Sequence, residues 1–153
     1  MHRSFYAEWK LMAITLKLNN VEPHRPVNGI CTDGAHSVKR GVTEYRGIDL
    51  ATGKELFYKE LGNNTANVGE FLGVVAAVKF ILETNYAPPI IYTDSITAIT
   101  WFSNKKTASR KRLPILMCAE VFLKVMASKI NSIQVRHWNT LEWGEIPADF
   151  QNK

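Results

Sequence analysis

A helical stretch at 67–83 carries apolar side chains on almost every side, so it has to lie between other elements. Two stretches before it, 41–50 and 54–61, are predicted strands, and they flank a turn of hairpin length at 51–53. The short apolar run at 90–93 after it is typical of a strand inside a sheet. Strands that adjoin so apolar a helix predict a sheet with helices packed on its faces.

Four further segments complete the predicted order. Residues 27–33 are a predicted first strand, 95–102 and 113–128 are predicted helices, and 130–138 is a predicted last strand. The order β-β-β-α-β-α-α-β indicates an α/β domain with a mixed sheet.

Two prolines, Pro23 and Pro26, mark a boundary near the start of the chain. We predict an N-terminal appendage at 1–25, helical and packed on the domain, and a single domain over 26–153.

The positive charge of the chain is local. There are 19 Lys and Arg against 14 Asp and Glu, a formal net charge of +5. The sequence NKKTASRKR at 104–112, here called the basic strip, holds five basic residues and no acid, which accounts for the whole excess. Such a strip is what binding of a polyanion needs, and a solvated loop is the alternative.

Cysteine content and hydropathy exclude several classes of protein. The two cysteines, Cys31 and Cys118, are too few for a disulfide framework or a cysteine-built zinc site and fit a reducing compartment. No apolar run reaches the roughly 18 residues that a membrane span needs. We therefore expect a cytoplasmic protein without a membrane partner, and a monomer by default.

Four acids fall where predicted elements end or begin. Asp33 ends the first strand, Glu70 lies in the first turn of the buried helix, Asp94 follows the strand at 90–93, and Asp149 lies near the C-terminus. In α/β sheets, ligand sites lie beyond the carboxyl ends of the strands. Asp33 and Asp94 would both project there if their strands are parallel neighbours.

Each acid also has a purely structural alternative. Asp33 with the following glycine suits a turn, Glu70 suits a capping box with Asn67, and Asp94 with the following serine suits a helix cap. Asp149 suits a solvated tail. A purely structural interpretation therefore needs four unrelated explanations for the positions of these acids, whereas one shared site explains all four positions.

Four converging carboxylates require a counterion. Two carboxylates about 4 Å apart repel by on the order of 4 kcal/mol at an effective dielectric constant of about 20. Oxygen-only ligands select hard ions such as Mg²⁺ or Mn²⁺, and two such ions can promote an in-line displacement at phosphorus. The acids and the basic strip together indicate metal-dependent phosphodiester hydrolysis.

The motifs around these acids resemble those of the ribonuclease HI family. They are TDG at 32–34, NTANVGEF at 64–71, YTDS at 92–95 and AD at 148–149. The resemblance implies the ribonuclease H-like fold, a five-stranded mixed sheet in the order 3-2-1-4-5 flanked by helices, here with the family's C-terminal helix missing. It also implies an endonuclease that hydrolyses the RNA strand of RNA–DNA hybrids and leaves 5′-phosphate and 3′-hydroxyl ends.

The resemblance also assigns roles to residues. Asp33, Glu70, Asp94 and Asp149 would be catalytic and would bind two Mg²⁺ or Mn²⁺ ions. His137 would take the place of the family's catalytic histidine, and a packed or hydrogen-bonded histidine is the alternative. The residues expected to contact the hybrid are Gly34, Thr65, Asn67, Lys105, Lys106, Arg110, Lys111 and Arg112.

Two other functions stay open at this point. One is a nuclease of the same superfamily that acts on DNA, such as a resolvase or a transposase-like core. The other is a non-catalytic ribonuclease H-like module that binds nucleic acid. The contexts of Asp33 and Glu70 favour the hybrid ribonuclease over both.

Overall fold

The computed structural model of the chain describes residues 24–151. The predicted appendage at 1–25 lies outside them apart from His24 and Arg25, so its helix stays a prediction. Within 24–151 no helix combines the length and the apolar character that crossing a membrane requires.

Five strands form one sheet, and their order is β3-β2-β1-β4-β5. Strands β1 (Ile30–Ser37), β2 (Val42–Asp49) and β3 (Glu55–Leu61) pair as antiparallel neighbours. Strand β4 (Ile90–Thr93) runs parallel to β1, and β5 (Gln134–His137) runs parallel to β4. The predicted mixed sheet and its order of strands are confirmed, and the chain has the ribonuclease H-like fold.

Helices connect the parallel strands. Helix α1 (Ala66–Thr84) leads into β4, and α2 (Ile96–Asn104) and α3 (Pro114–Val125) lead from β4 towards β5. The short helix α4 (Thr140–Trp143) follows β5. The predicted strand at 130–138 is shorter than expected, because residues 130–132 form a turn of 3-10 helix before β5 begins.

The two faces of the sheet bury separate clusters. On one face, α1 and α3 pack on the strands through buried apolar side chains that include Ile30, Phe71, Val78, Ile91 and Leu123. The opposite cluster consists of Cys31, Ile48, Tyr92, Trp138, Ile146 and Ala148.

Trp138 fixes the segment that follows β5. Its side chain is fully buried, and its indole N–H donates a hydrogen bond of 2.9 Å to the Gly144 carbonyl oxygen. Its ring packs edge-on against Trp143 and Tyr92, with centroids 5.2 Å and 6.2 Å away. The chain after β5 is thereby held on the sheet, and this placement brings residues 146–150 close to β1 and β2.

Candidate active site

Asp33 lies in the middle of β1 and not at its end. The strand continues to Ser37 because β1 pairs with β2 along its whole length. The predicted strand end at Asp33 and the alternative of a turn at Asp33–Gly34 are therefore wrong. The parallel pairing with β4 ends at Cys31 and Tyr92, so Asp33 still lies past the carboxyl end of the parallel strands, where ligand sites form.

Three glycines bring α1 unusually close to the sheet. A Cβ atom on Gly34 would lie 2.4 Å from the backbone nitrogen of Glu70. A Cβ on Gly69 would lie 2.9 Å from a threonine methyl group of β2, and one on Gly73 would lie 3.3 Å from a tyrosine Cβ of the same strand. The backbones of helix and strand are therefore in direct contact, and the Gly34 N–H donates a hydrogen bond to the Glu70 carboxylate.

The N-terminus of α1 is capped without Glu70. Thr65 is the N-cap residue, and its hydroxyl accepts a hydrogen bond of 3.3 Å from the Val68 N–H. The helix starts at Ala66, so Glu70 lies in the second turn, whereas the sequence predicted the first. The capping-box alternative is therefore wrong, and the carboxylate points at β1.

The structure brings three of the four acids together. One carboxylate oxygen from each of Asp33, Glu70 and Asp94 lies within 4.8 Å of the other two. Asp33 is buried, with 1% of its surface exposed, and the other two are half-buried. Ser95 is the N-cap of α2 and accepts a hydrogen bond of 3.0 Å from the Ala98 N–H, so capping of this helix does not explain Asp94.

The electrostatics of this cluster favour a cation. Burial, followed by the proximity of Asp33 and Asp94, raises the pKa of Glu70 to about 9, while the Gly34 N–H acts in the opposite direction. Carboxylate oxygens are the ligands that Mg²⁺ and Mn²⁺ prefer. A bound divalent cation would stabilise all three carboxylates in their charged form, so the donor set fits such an ion.

Asp149 lies outside this group of three, but the backbone beside it reaches the cluster. The N–H of Phe150 donates a hydrogen bond of 3.1 Å to Oδ2 of Asp33. From β2, Arg46 donates to the carbonyl oxygens of Ala148 and Asp149, at 2.8 Å and 2.7 Å. The segment that carries Asp149 is thus bound to both strands next to Asp33.

His137 is the last residue of β5. It pairs across the parallel strands with Thr93, which directly precedes Asp94. Its side chain is exposed. This position is at the same edge of the sheet as the acids, and the catalytic role of His137 stays a prediction.

A groove connects the start of α1 with the basic strip. Its volume is about 690 Å³. Its lining includes the exposed polar residues Thr65 and Asn67 and, from the basic strip, Arg110 and Lys111. The groove therefore combines polar uncharged side chains with cationic ones. Lys105 and Lys106 follow the C-terminus of α2 and are not among its lining residues.

Sequence reasoning missed Glu120, which anchors the basic strip. The two terminal nitrogens of Arg112 donate to its two carboxylate oxygens, at 2.8 Å and 3.0 Å. The N–H and hydroxyl of Thr107 donate to the same carboxylate, at 2.8 Å and 2.7 Å. These contacts, led by the Arg112 hydrogen bonds, lower the pKa of Glu120 to about 2. Arg112 therefore orders the strip through Glu120, and its predicted contact with the hybrid has to compete with that pairing.

A signal for Glu120 is present in the sequence. It is the single acid of the predicted helix at 113–128, which is otherwise apolar apart from a few polar residues. An acid so placed next to a basic strip of opposite charge is a candidate for an ion pair with it.

No family model matches the sequence. Among solved structures, the chain is similar to a ribonuclease H1 isolated from compost by a metagenomic approach, at 17% identity over 71% of this chain and 81% of that chain, with a TM-score of 0.49. It is also similar to the N-terminal RNase H domain of a Mycobacterium tuberculosis protein, at 16% identity over 76% and 87% of the two chains, with a TM-score of 0.45. A third match is the protease–reverse transcriptase of prototype foamy virus, at 21% identity over 74% of this chain and 18% of that chain, with a TM-score of 0.49.

Proposed function

We propose that the protein is a divalent-metal-dependent endoribonuclease that hydrolyses the RNA strand of RNA–DNA hybrids. The observation that carries the proposal is the meeting of Asp33, Glu70 and Asp94, which come from β1, α1 and the end of β4. Carboxylates so close together destabilise the fold unless a cation neutralises their charge. A metal-dependent active site explains with one function why all three acids lie together.

The chemistry follows from the donor set. Mg²⁺ or Mn²⁺ ions held by Asp33, Glu70, Asp94 and Asp149 would activate the attacking water and stabilise the leaving 3′ oxygen. The protein keeps the carboxylates in place through its backbone, because the N–H groups of Gly34 and Phe150 hydrogen-bond to Glu70 and Asp33. The metal-binding side chains are thus oriented before any ion binds, as a preorganised site requires.

The residues that line the groove suit a hybrid of RNA and DNA. Arg110 and Lys111 supply positive charge for the phosphates of the DNA strand, which gives affinity without reading the sequence. The polar side chains of Thr65 and Asn67 line the same groove and can hydrogen-bond to the 2′-hydroxyl groups that distinguish RNA from DNA. The TDG and NTANVGEF motifs favour this substrate over DNA alone, because both resemble ribonuclease HI.

The test compares labelled RNA–DNA hybrid, duplex DNA and duplex RNA, each with Mg²⁺ and with excess EDTA. We expect cleavage of the RNA strand of the hybrid only, and only with the metal. Asp94→Asn and Glu70→Gln should abolish cleavage, whereas Glu83→Gln, which removes an exposed acid from the same helix as Glu70, should leave it unchanged. Cleavage that survives EDTA, or duplex DNA cut in preference to hybrid, would overturn the proposal.

A further inference from the structure

The antiparallel register places Arg46 directly opposite Asp33. The two residues are Cα partners in the pairing of β1 with β2, so their side chains leave the sheet on the same face. Between and above them lies the segment 148–150. Arg46 therefore lies beside the proposed metal site as a cation and not as a metal ligand.

Arg46 holds this segment through three different contacts. Its Nε and one terminal nitrogen donate to two successive carbonyl oxygens, those of Ala148 and Asp149, at 2.8 Å and 2.7 Å. Its guanidinium also lies 4.7 Å from the centre of the Phe150 ring, within the range of a cation–π contact. Its ion pair with Glu55 is long, at 3.8 Å. Two short hydrogen bonds and the ring contact thus join this side chain to residues 148–150.

We propose that Arg46 is a positioning residue that holds Asp149 at the metal centre. It fixes the backbone at 148–149, and the Phe150 N–H then hydrogen-bonds to Asp33, so the Asp149 carboxylate is presented to the cluster from a fixed backbone. This role rests on the proposed function, because it matters only if the four acids bind metal together.

An arginine is needed at this position and a lysine does not suffice. The planar guanidinium presents several N–H donors in a fixed fork, so one side chain can bind two adjacent carbonyl oxygens and keep its face against a ring. A lysine ammonium keeps the charge but lacks this flat, forked geometry. Arg46→Lys therefore separates the geometric role of the residue from its charge.

The first measurement concerns the metal-free protein and does not depend on catalysis. Amide hydrogen exchange at Phe150, followed by NMR, should be at least about tenfold faster in Arg46→Ala than in the wild type, because the segment opens locally more often. Arg40→Ala is the matched control: Arg40 lines the same cavity of about 960 Å³ but pairs with Glu44 and Glu60 instead of the segment. Unchanged exchange at Phe150 in Arg46→Ala would overturn the proposal that Arg46 fixes this segment.

The second measurement is the affinity for Mg²⁺, determined by calorimetry without nucleic acid. Loss of a residue that orients a metal ligand costs about 10–100-fold in affinity, which is the expected effect of Arg46→Ala, and Arg46→Lys should recover little of it. In an Asp149→Asn background the Arg46→Ala change should have no further effect, because Arg46 acts through Asp149. An undiminished further loss in that background would overturn the role.

The two proposals fail in different ways. Wild-type protein that binds no Mg²⁺ and cleaves no hybrid overturns the proposed function, and this role of Arg46 with it. Wild-type protein that binds Mg²⁺, with an Arg46→Ala variant that binds it equally well, overturns the positioning role alone. Thermal unfolding of each variant shows whether it is folded, and Arg46→Lys carries the test if Arg46→Ala is not.

Discussion

Replacement of Gly34 by alanine tests whether the close approach of α1 to β1 builds the acid cluster. The new Cβ would lie 2.4 Å from the Glu70 nitrogen, whereas ordinary contacts of a Cβ begin at 3.4 Å, so helix and strand have to separate by about 1 Å. The obstacle is backbone on both sides, which cannot rotate away as a side chain does. Glu70 moves with the helix and Asp33 stays with the strand, so the separation acts directly on the acid cluster that forms the proposed metal site.

The expected losses of stability and of activity both follow from this displacement. Overpacking of a close contact typically costs about 1–3 kcal/mol in the free energy of unfolding. A catalytic group displaced by about 1 Å can lose about 100-fold in rate. For Gly34→Ala we therefore expect a free energy of unfolding that is lower by about 3 kcal/mol, and a kcat/KM for hybrid cleavage that is lower by about 100-fold.

Two other glycines calibrate the measurement. Gly73→Ala meets its nearest neighbour at 3.3 Å, so its effects should be small, while Gly62→Ala meets nothing within 4 Å among the described residues and should be neutral. Urea denaturation gives the free energies, and steady-state cleavage of a labelled hybrid gives kcat/KM. A Gly34→Ala protein that matches Gly62→Ala in both would refute the link between the glycine contact and the site.

Three further predictions address other parts of the molecule. Glu70→Gln should stabilise the metal-free protein at pH 7 by about 1 kcal/mol or more, because folding raises the pKa of Glu70 well above its ordinary value, a cost at this pH that the uncharged Gln does not carry. Thermal unfolding should show a higher Tm for the variant, and added Mg²⁺ should raise the Tm of the wild type only. The pKa of Glu120 lies at about 2 in the folded protein against an ordinary value of 4.5, so its stabilisation is complete above about pH 4.5 and is lost as the pH falls towards 2. Glu120→Gln should therefore cost about 1–3 kcal/mol at pH 7 and visibly less at pH 3 in urea denaturation, and an equal loss at both pH values would contradict the pairing with Arg112. Replacing Arg110 and Lys111 by alanine should weaken hybrid binding. It should also make the slope of log affinity against log salt concentration less steep by about 0.9 for each phosphate that is no longer neutralised. An unchanged slope would mean that the hybrid binds elsewhere.

The sequence predicted the parts of the fold that local patterns specify. The apolar helix at 67–83 and the apolar strand at 90–93 have to be buried, and such apolar strands are typical of parallel pairing. Asp94 was expected at the carboxyl edge of the sheet on the condition that its strand runs parallel to the first, and it does. The predicted C-terminal boundary of β1 was wrong because its last residues, up to the half-buried Ser37, are fixed by pairing with β2 and not by their own apolar pattern.

Contacts that depend on register could not be predicted in this way. Arg46 is an ordinary polar position in an alternating strand, and nothing near it in the sequence indicates that it faces Asp33 or binds a segment about a hundred residues further along. A shift of one residue in the register would move its side chain to the other face of the sheet. The roles of Gly34 and Gly69 could not be predicted either, because they depend on the close contact of α1 with β1 and β2, which are distant from it in the sequence.

The acid cluster and the core are coupled through β1. Ile30 and Cys31 are fully buried in the clusters on opposite faces of the sheet, and Asp33 follows only two residues later on the same strand. The packing of these neighbours fixes the backbone that carries Asp33, while the close glycine contacts fix α1 and with it Glu70. Repulsion among the carboxylates works against this arrangement and would be relieved by a small movement of either element. A rigid sheet with a tightly packed helix is therefore a requirement of the site: it holds the negative side chains at a spacing that they would not adopt by themselves and that a divalent cation can use.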